Sequence, residues 1–154
     1  MSIYFYKFPI GTIGIEEENE QITQLYFPND SIDSKASIEE TPLIKEAYNQ
    51  LEAYFRGELK VFSLSLNPSG TPFMKNVWKA LCDIPYGETT TYKSIAEAVG
   101  SPKAFRAVGL ANNRNPIPII IPCHRVIGSN GTLIGYGGGL EIKSTLLNLE
   151  KTYS

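Results

Sequence analysis

The stretch YKSIAEAVGSPKAFRAVGLAN (92–112) decides the fold of the second half of the chain. It predicts a short helix over 92–99, after a cap region at 89–91, and a second helix over 103–112. Between them, Gly100 suits a left-handed helix exit, Ser101 suits an N-cap and Pro102 suits a first helical position. Two short helices joined by a tight turn containing glycine are typical of a helix-turn-helix.

The segments around this motif predict a mostly helical second half. A helix is expected over 73–82, and the run IPIII (117–121) is expected to form a short buried strand or an extended segment that ends at Pro122. The glycine-rich segment 128–139 predicts a loop, since glycine favours irregular backbone. A closing helix is expected over 140–151, with four apolar anchors at Leu140, Leu146, Leu147 and Leu149.

The first half alternates between apolar and polar residues and predicts strands at 3–8, 13–16, 21–27 and 61–66. A loop is expected over 28–37. Thr41 and Pro42 begin a helix, and Gly57 ends it. The stretch NPSGTP (67–72) is the best candidate linker. The sequence therefore predicts an α+β chain: an antiparallel sheet with one helix in residues 1–70, and a mostly helical, winged-helix-like domain in residues 71–154.

Composition limits the classes of protein that the chain can belong to. Of its 154 residues, 42% are hydrophobic and 19% are charged, which is typical of a folded protein. No apolar run approaches the ~20 residues of a membrane span, and the first residues lack the pattern of a signal peptide. We therefore expect an intracellular, cytoplasmic protein with reduced thiols and no membrane contact. One histidine and two distant cysteines cannot supply a four-ligand Cys/His zinc site.

Charge is distributed unevenly along the chain. Residues 1–70 carry a net charge of -6, residues 71–135 carry +4, and residues 136–154 are neutral. Such a division either reflects ordinary solvated surface or indicates that the second half faces an anionic partner. The predicted helix 103–112 is small and apolar, with few side chains that could read base edges. It fits either a plain helix pair or close approach to a shallow groove.

The stretch PIIIPCHRVIG (118–128) concentrates reactive side chains. A free cysteine is often a small buried hydrophobe, which is the interpretation of Cys82. Cys123 differs because a histidine and an arginine follow it, and a nearby base or cation favours the nucleophilic thiolate. Adjacent side chains rarely face each other, so we expect a water to link His124 to Cys123. Glu150 is the candidate that orients the imidazole, and Glu141 is the alternative.

These motifs, in this order, resemble the O6-alkylguanine-DNA alkyltransferases (methylated-DNA–protein-cysteine methyltransferases). The stretch PCHRVIG matches the signature of that family, and FMKNVWKAL, IPYGETTTYKSIAEAVG, KAFRAVG, NPIPIIIPCHRVI and GYGGGLEIK match it in type and order. The resemblance is dense over residues 71–150. For residues 1–70 it implies a ribonuclease-H-like domain.

The resemblance implies a DNA repair enzyme that acts once per molecule. It would bind duplex DNA in the minor groove as a monomer, without a cofactor, and flip an O6-alkylguanine, with O4-alkylthymine as a second candidate. Cys123 would accept the alkyl group, His124 would act as a water-linked base, and Glu150 would orient His124. Tyr92 would help to rotate the nucleotide and protonate the departing guanine. Asn115 would brace the turn at the site.

Further residues match the DNA and base contacts of the family. Arg106 would fill the gap left in the base stack, with Lys103 beside it and Ser129 on a phosphate. The implied base pocket consists of Pro118, Val126, Tyr136 and Gly137. Many members carry a tryptophan where this chain has Thr145, which implies looser packing near the site. Some members hold zinc in the N-terminal domain, which here has neither cysteine nor histidine, so we expect no metal.

Three other functions remain open at this stage. A cysteine hydrolase would use Cys123, His124 and Glu150 as a triad and would turn over. A DNA-damage sensor would flip the base without becoming alkylated. A plain winged-helix regulator would need base-reading side chains on the second helix.

Overall fold

The first unit is built on a sheet whose central strands carry the alternating apolar pattern. The computed structural model describes residues 1–129, 131 and 139–154, and this unit covers Met1–Ser69. The strand order is β3-β2-β1-β4, formed by β1 (Ser2–Phe8), β2 (Gly11–Glu18), β3 (Gln21–Tyr26) and β4 (Ser37–Ile38). The α+β prediction is confirmed. The sheet is not antiparallel throughout, however, because β4 pairs with β1 in parallel.

The fourth strand was predicted as the end of a loop because its side chains carry no pattern. Both residues of β4 are exposed. Its pairing rests on backbone hydrogen bonds, from the Ser37 amide to the Met1 carbonyl at 3.1 Å and from the Glu39 amide to the Ile3 carbonyl at 3.0 Å. A strand that pairs through its backbone but buries no side chain has no alternating apolar pattern from which it could be predicted.

Helix α1 (Pro42–Phe55) packs on this sheet as predicted. The Thr41 hydroxyl accepts a hydrogen bond from the Ile44 amide at 3.2 Å, and Pro42 occupies the first turn. Gly57, with φ of +76°, follows the last turn. The buried face of the helix meets the apolar face of β2 and β3, and together they form a core of Ile13, Ile15, Ile22, Leu25, Ile44, Ala47, Leu51 and Tyr54.

The predicted strand at 61–66 is extended but does not join the sheet as a strand. Side chains alternate in exposure along it, and Val61 is 78% exposed. Its only bridge within the described residues joins Leu66 to Ile22. At this bridge the Ile22 amide donates to the Ser65 carbonyl and the Asn67 amide donates to the Ile22 carbonyl, both at 2.8 Å. Before it, Oε1 of Gln50 accepts from the Ser63 amide at 2.9 Å. The side-chain amide of Gln50 thus makes a hydrogen bond that the backbone of a neighbouring strand would otherwise make.

The second unit, Gly70–Ser154, is mostly helical. Its elements are α2 (Pro72–Leu81), β5 (Thr90–Thr91), α3 (Tyr92–Ala98), α4 (Phe105–Asn113), a 3-10 turn (Cys123–Arg125), β6 (Val126–Ile127) and α5 (Leu140–Tyr153). The indole N–H of Trp78 on α2 donates to the Ala111 carbonyl on α4 at 2.8 Å, which fixes α2 against α4. Among the described residues, no helix is both long and apolar enough to cross a membrane.

The predicted helix-turn-helix is present as α3 and α4, but the second helix begins later than expected. Gly100 has φ of +78°, as its predicted left-handed exit requires. Ser101 is not an N-cap: its carbonyl accepts from the Ala104 amide at 2.8 Å in a separate turn. Lys103 therefore lies before α4, which begins at Phe105.

Three smaller predictions are wrong because burial does not follow composition alone. The run 117–121 is buried but forms a turn, in which Ile119 has φ of +72° and the Ile121 amide donates to the Ile117 carbonyl at 3.0 Å. Leu140 is 49% exposed and does not anchor α5. Cys82, at the end of α2, is exposed.

Candidate active site

Cys123 begins the 3-10 turn that follows the buried isoleucine run, and it is only 3% exposed. Its amide donates to the Ile121 carbonyl at 2.8 Å. Its carbonyl accepts from Nδ2 of Asn112, a buried residue of α4, at 3.2 Å. The backbone of the thiol-bearing residue is therefore held from both sides. Sequence analysis missed Asn112, although an amide on the apolar side of a short helix was a signal.

His124 lies against Glu150 in the protein interior. Their Nε2 and Oε2 atoms are 2.6 Å apart, and both side chains are fully buried. Glu150, the first of the two predicted candidates, makes this contact, whereas Glu141 is exposed on the first turn of α5. With Nε2 donating to the carboxylate, Nδ1 is the acceptor nitrogen of the ring. Nδ1 has no protein partner in the described part of the chain.

The Glu150 carboxylate accepts hydrogen bonds from further donors. Arg125 donates from Nε to Oε1 at 2.8 Å and from Nη2 to Oε2 at 3.1 Å. The Gly87 amide donates to Oε1 at 3.2 Å. Nη1 of Arg125 also donates to the Ile84 carbonyl at 2.7 Å. The arginine of the CHR motif is therefore a structural tie that joins the 3-10 turn to α5 and to the segment after α2.

Burial keeps the imidazole neutral. It lowers the pKa of His124 below its ordinary value, and the hydrogen bond and negative charge of Glu150 oppose this effect only in part. A neutral ring with a free acceptor nitrogen can take a proton near neutral pH. The arrangement thus supplies a base one residue from a thiol.

Two further polar groups lie within electrostatic range of Cys123. Tyr92 opens α3, and burial raises the pKa of its phenol, with a further increase from negative charge on Cys123. Lys143, on α5, is fully buried and donates from Nζ to the Val126 carbonyl at 2.6 Å. Burial lowers the pKa of Lys143, and negative charge on Cys123 opposes that change. The phenol can therefore donate a proton, and the Lys143 amine lies within electrostatic range of the thiol.

Lys143 was missed by sequence analysis. Its spacing to Glu150 was the available signal: Lys143, Leu146 and Glu150 share one buried face of α5 at helical intervals. A lysine on a buried face usually has a partner, which here is the Val126 carbonyl.

The side chain of Asn115 holds the turn that precedes Cys123. Nδ2 of Asn115 donates to the Ile121 carbonyl at 2.8 Å, and its Oδ1 accepts from the Ile117 amide at 3.0 Å. Pro118 is buried within this turn. Val126 is buried in β6, where it pairs with Thr90 of β5.

The predicted DNA contacts lie on the surface. Arg106 is exposed in the first turn of α4, Lys103 is exposed before it, and Ser129 is exposed after β6. Tyr136 and Gly137 fall outside the described residues. Thr145 is exposed, and its hydroxyl donates to the Glu141 carbonyl at 2.9 Å, so this position lies on the outer face of α5.

Both units of the chain match one family of known proteins. Residues 72–152 match the 6-O-methylguanine DNA methyltransferase, DNA binding domain, and residues 1–68 match the ribonuclease-like domain of the same family. The chain belongs to this family. Relatives in it are called methylated-DNA–protein-cysteine methyltransferases, and the chain is a DNA repair enzyme that transfers an alkyl group to a cysteine.

Relatives of this methyltransferase are similar over nearly their whole length. The protein of that name from Methanosarcina mazei is 52% identical over 98% of both chains. The constitutive one from Bacillus subtilis is 53% identical over 93% of this chain and 91% of its own. In structure, Mycobacterium tuberculosis OGT in complex with DNA has a TM-score of 0.94 at 44% identity, covering 100% of this chain and 95% of its own.

Proposed function

We propose that this chain removes the alkyl group from O6 of guanine in duplex DNA and keeps it on Sγ of Cys123, once per molecule. The observation that carries the proposal is the buried pair in which Oε2 of Glu150 lies 2.6 Å from Nε2 of His124, the residue next to Cys123. The pair leaves an acceptor nitrogen for the proton of the thiol. A thioether is stable, so the reaction consumes the protein.

The residues present can accept and supply each proton that the reaction moves. His124 takes the thiol proton through a bridging water, and the thiolate attacks the alkyl carbon. The carbon–oxygen bond breaks, and its electron pair stays with guanine. Tyr92 donates a proton to the departing base and later regains one from His124 or solvent. The buried ammonium of Lys143 favours the thiolate before the attack.

Chemistry at a buried cysteine requires that the base leave the duplex. Cys123 is 3% exposed, so a stacked base cannot reach it. The proposal places α4 in the minor groove, with Arg106 in the gap left by the base and Lys103 and Ser129 on the backbone. Pro118 and Val126, with Tyr136 and Gly137, would hold the flipped guanine. The protein would act as a monomer inside the cell, where its substrate lies.

Intact-protein mass spectrometry with peptide mapping tests this function. Duplex DNA carrying one O6-methylguanine is mixed with the protein and with Cys123→Ala. We expect one methyl group per molecule, on Cys123, and none on the variant. Tight lesion binding without modification would favour a damage sensor, and repeated turnover without modification would favour a hydrolase.

A further inference from the structure

An aromatic ring stands exposed at the start of the helix proposed to meet DNA. Phe105 is the first residue of α4 and is 48% exposed. The next residue, Arg106, is also exposed. An exposed large apolar side chain has meaning when its surroundings fit a partner.

The residues near Phe105 in the sequence suit a polyanionic partner. No aspartate or glutamate occurs between Glu97 and Glu141, whereas Lys103, Arg106 and Arg114 lie in that interval. All three of these cations are exposed. An exposed apolar ring in a stretch of sequence with exposed cations and no carboxylate matches a partner with an anionic exterior and an apolar interior, which describes duplex DNA and its stacked bases.

The position of Phe105 connects it to the active site. Phe105 and Gly109 lie on one face of α4, four residues apart. A Cβ atom on Gly109 would lie 3.9 Å from Cδ1 of Tyr92. Tyr92 in turn lies within electrostatic range of Cys123. Because helical side chains lean toward the N-terminus, the Phe105 ring continues this face away from Tyr92 and into solvent.

We propose that Phe105 is a second wedge, which inserts from the minor groove beside the lesion while Arg106 occupies the gap left by the flipped base. The proposal rests on the function proposed above. Apolar side chains that enter the minor groove unstack a base step and kink the duplex, which lowers the cost of extruding a neighbouring nucleotide. The ring contacts bases without reading them, as a search for lesions in any sequence requires.

The test separates recognition of the duplex from chemistry. Single-turnover rates of methyl transfer are measured with an O6-methylguanine duplex and with the free base O6-methylguanine, which needs no flipping. For Phe105→Ala we expect a loss of about tenfold on the duplex and no change on the free base. Phe105→Tyr should restore the duplex rate. Val61→Ala, which trims another exposed apolar side chain in the first unit, is the matched control.

A fluorescent variant tests insertion directly. Trp78, the only native tryptophan, is buried, so Phe105→Trp adds one exposed indole. We expect its emission to be quenched on binding duplex DNA, because an indole stacked on a base loses its excitation without emitting light. Unchanged emission, together with equal duplex rates for Phe105→Ala and wild type, would overturn the wedge and leave the ring to a protein partner.

Failure of the wedge and failure of the proposed function give different results. If the function is wrong, wild-type protein transfers methyl from neither substrate. If only the wedge is wrong, wild type reacts with both substrates and Phe105→Ala does not differ from it. An equal loss on both substrates would also overturn the wedge, since the ring would then act on the site itself.

Discussion

Arg125 and Glu150 are joined by two hydrogen bonds inside the second unit, from Nε to Oε1 at 2.8 Å and from Nη2 to Oε2 at 3.1 Å. The same carboxylate holds Nε2 of His124. The Glu150 carboxylate therefore stabilises the fold through Arg125 and also orients His124, the proposed base. Stability and reactivity should respond together when it is removed.

Glu150→Gln keeps the shape of the side chain and removes its charge. We expect the free energy of unfolding to fall by about 3–5 kcal/mol, because Arg125 would remain buried without a counter-charge. Urea denaturation measures this change. Glu141→Gln, at an exposed position on the same helix, should change stability by less than about 0.5 kcal/mol. Similar losses in the two variants would contradict the role of the pair.

Stability should depend on pH through His124. Burial lowers the pKa of His124 in the folded state, so the unfolded chain binds a proton near pH 6.5 while the folded chain does not. Stability is then complete above about pH 6.5 and decreases as the pH falls below it, until the folded pKa is reached.

Denaturation at several values between about pH 7.5 and 5.5 measures this slope. His124 is the only histidine, so the change in stability over this pH range comes mainly from its imidazole. His124→Gln should flatten the dependence. A protein that becomes more stable toward pH 5.5 would show that the charged imidazole is the favoured form.

Lys143→Met should slow methyl transfer, since it removes the amine within electrostatic range of Cys123 and its hydrogen bond to the Val126 carbonyl. We expect a loss of at least about tenfold near neutral pH, from a charge-assisted hydrogen bond alone. Alkaline pH ionises thiols without help, so part of the loss should be recovered there. Lys151→Met, at an exposed position, is the control. A loss that is equal at all pH values would indicate a structural role only.

Asn115→Ala should loosen the turn that precedes Cys123. It removes two hydrogen bonds and leaves the Ile121 carbonyl and the Ile117 amide without their partner. The expected cost is about 1–3 kcal/mol. Thermal unfolding measures it, with the exposed neighbour Asn113→Ala as the comparison. No difference between the two would mean that water replaces the amide at no cost.

Sequence signals that act within one helical turn predicted the helices of this chain. Contacts between residues far apart in the sequence determined the features that those signals did not predict. Caps at Thr41 and the left-handed Gly100 marked helix ends correctly, since they act within one turn. Ser101 and Pro102 form an equally good cap signal, but their turn closes before α4 begins. The alternation at 61–66 is real, yet the segment pairs with β3 only around Ile22, and the Gln50 side chain bonds Ser63 where a strand would continue.

The site was predictable where the motif itself carries the chemistry. Cys123, His124 and Glu150 came from residue type and resemblance, and the structure brings His124 and Glu150 together. Asn112 and Lys143 were missed because a polar residue on a buried face acquires meaning only from its partner, here the carbonyls of Cys123 and Val126. Those partners lie 11 and 17 residues away along the chain.

The tie between Gly87 and Glu150 spans 63 residues of the chain. During synthesis, Cys123 and His124 therefore leave the ribosome before the carboxylate that orients the imidazole. Until α5 has emerged and docked, the nascent chain carries a thiol without its base in position. We therefore expect the thiol of a half-made chain to react more slowly with small electrophiles than the thiol of the folded protein.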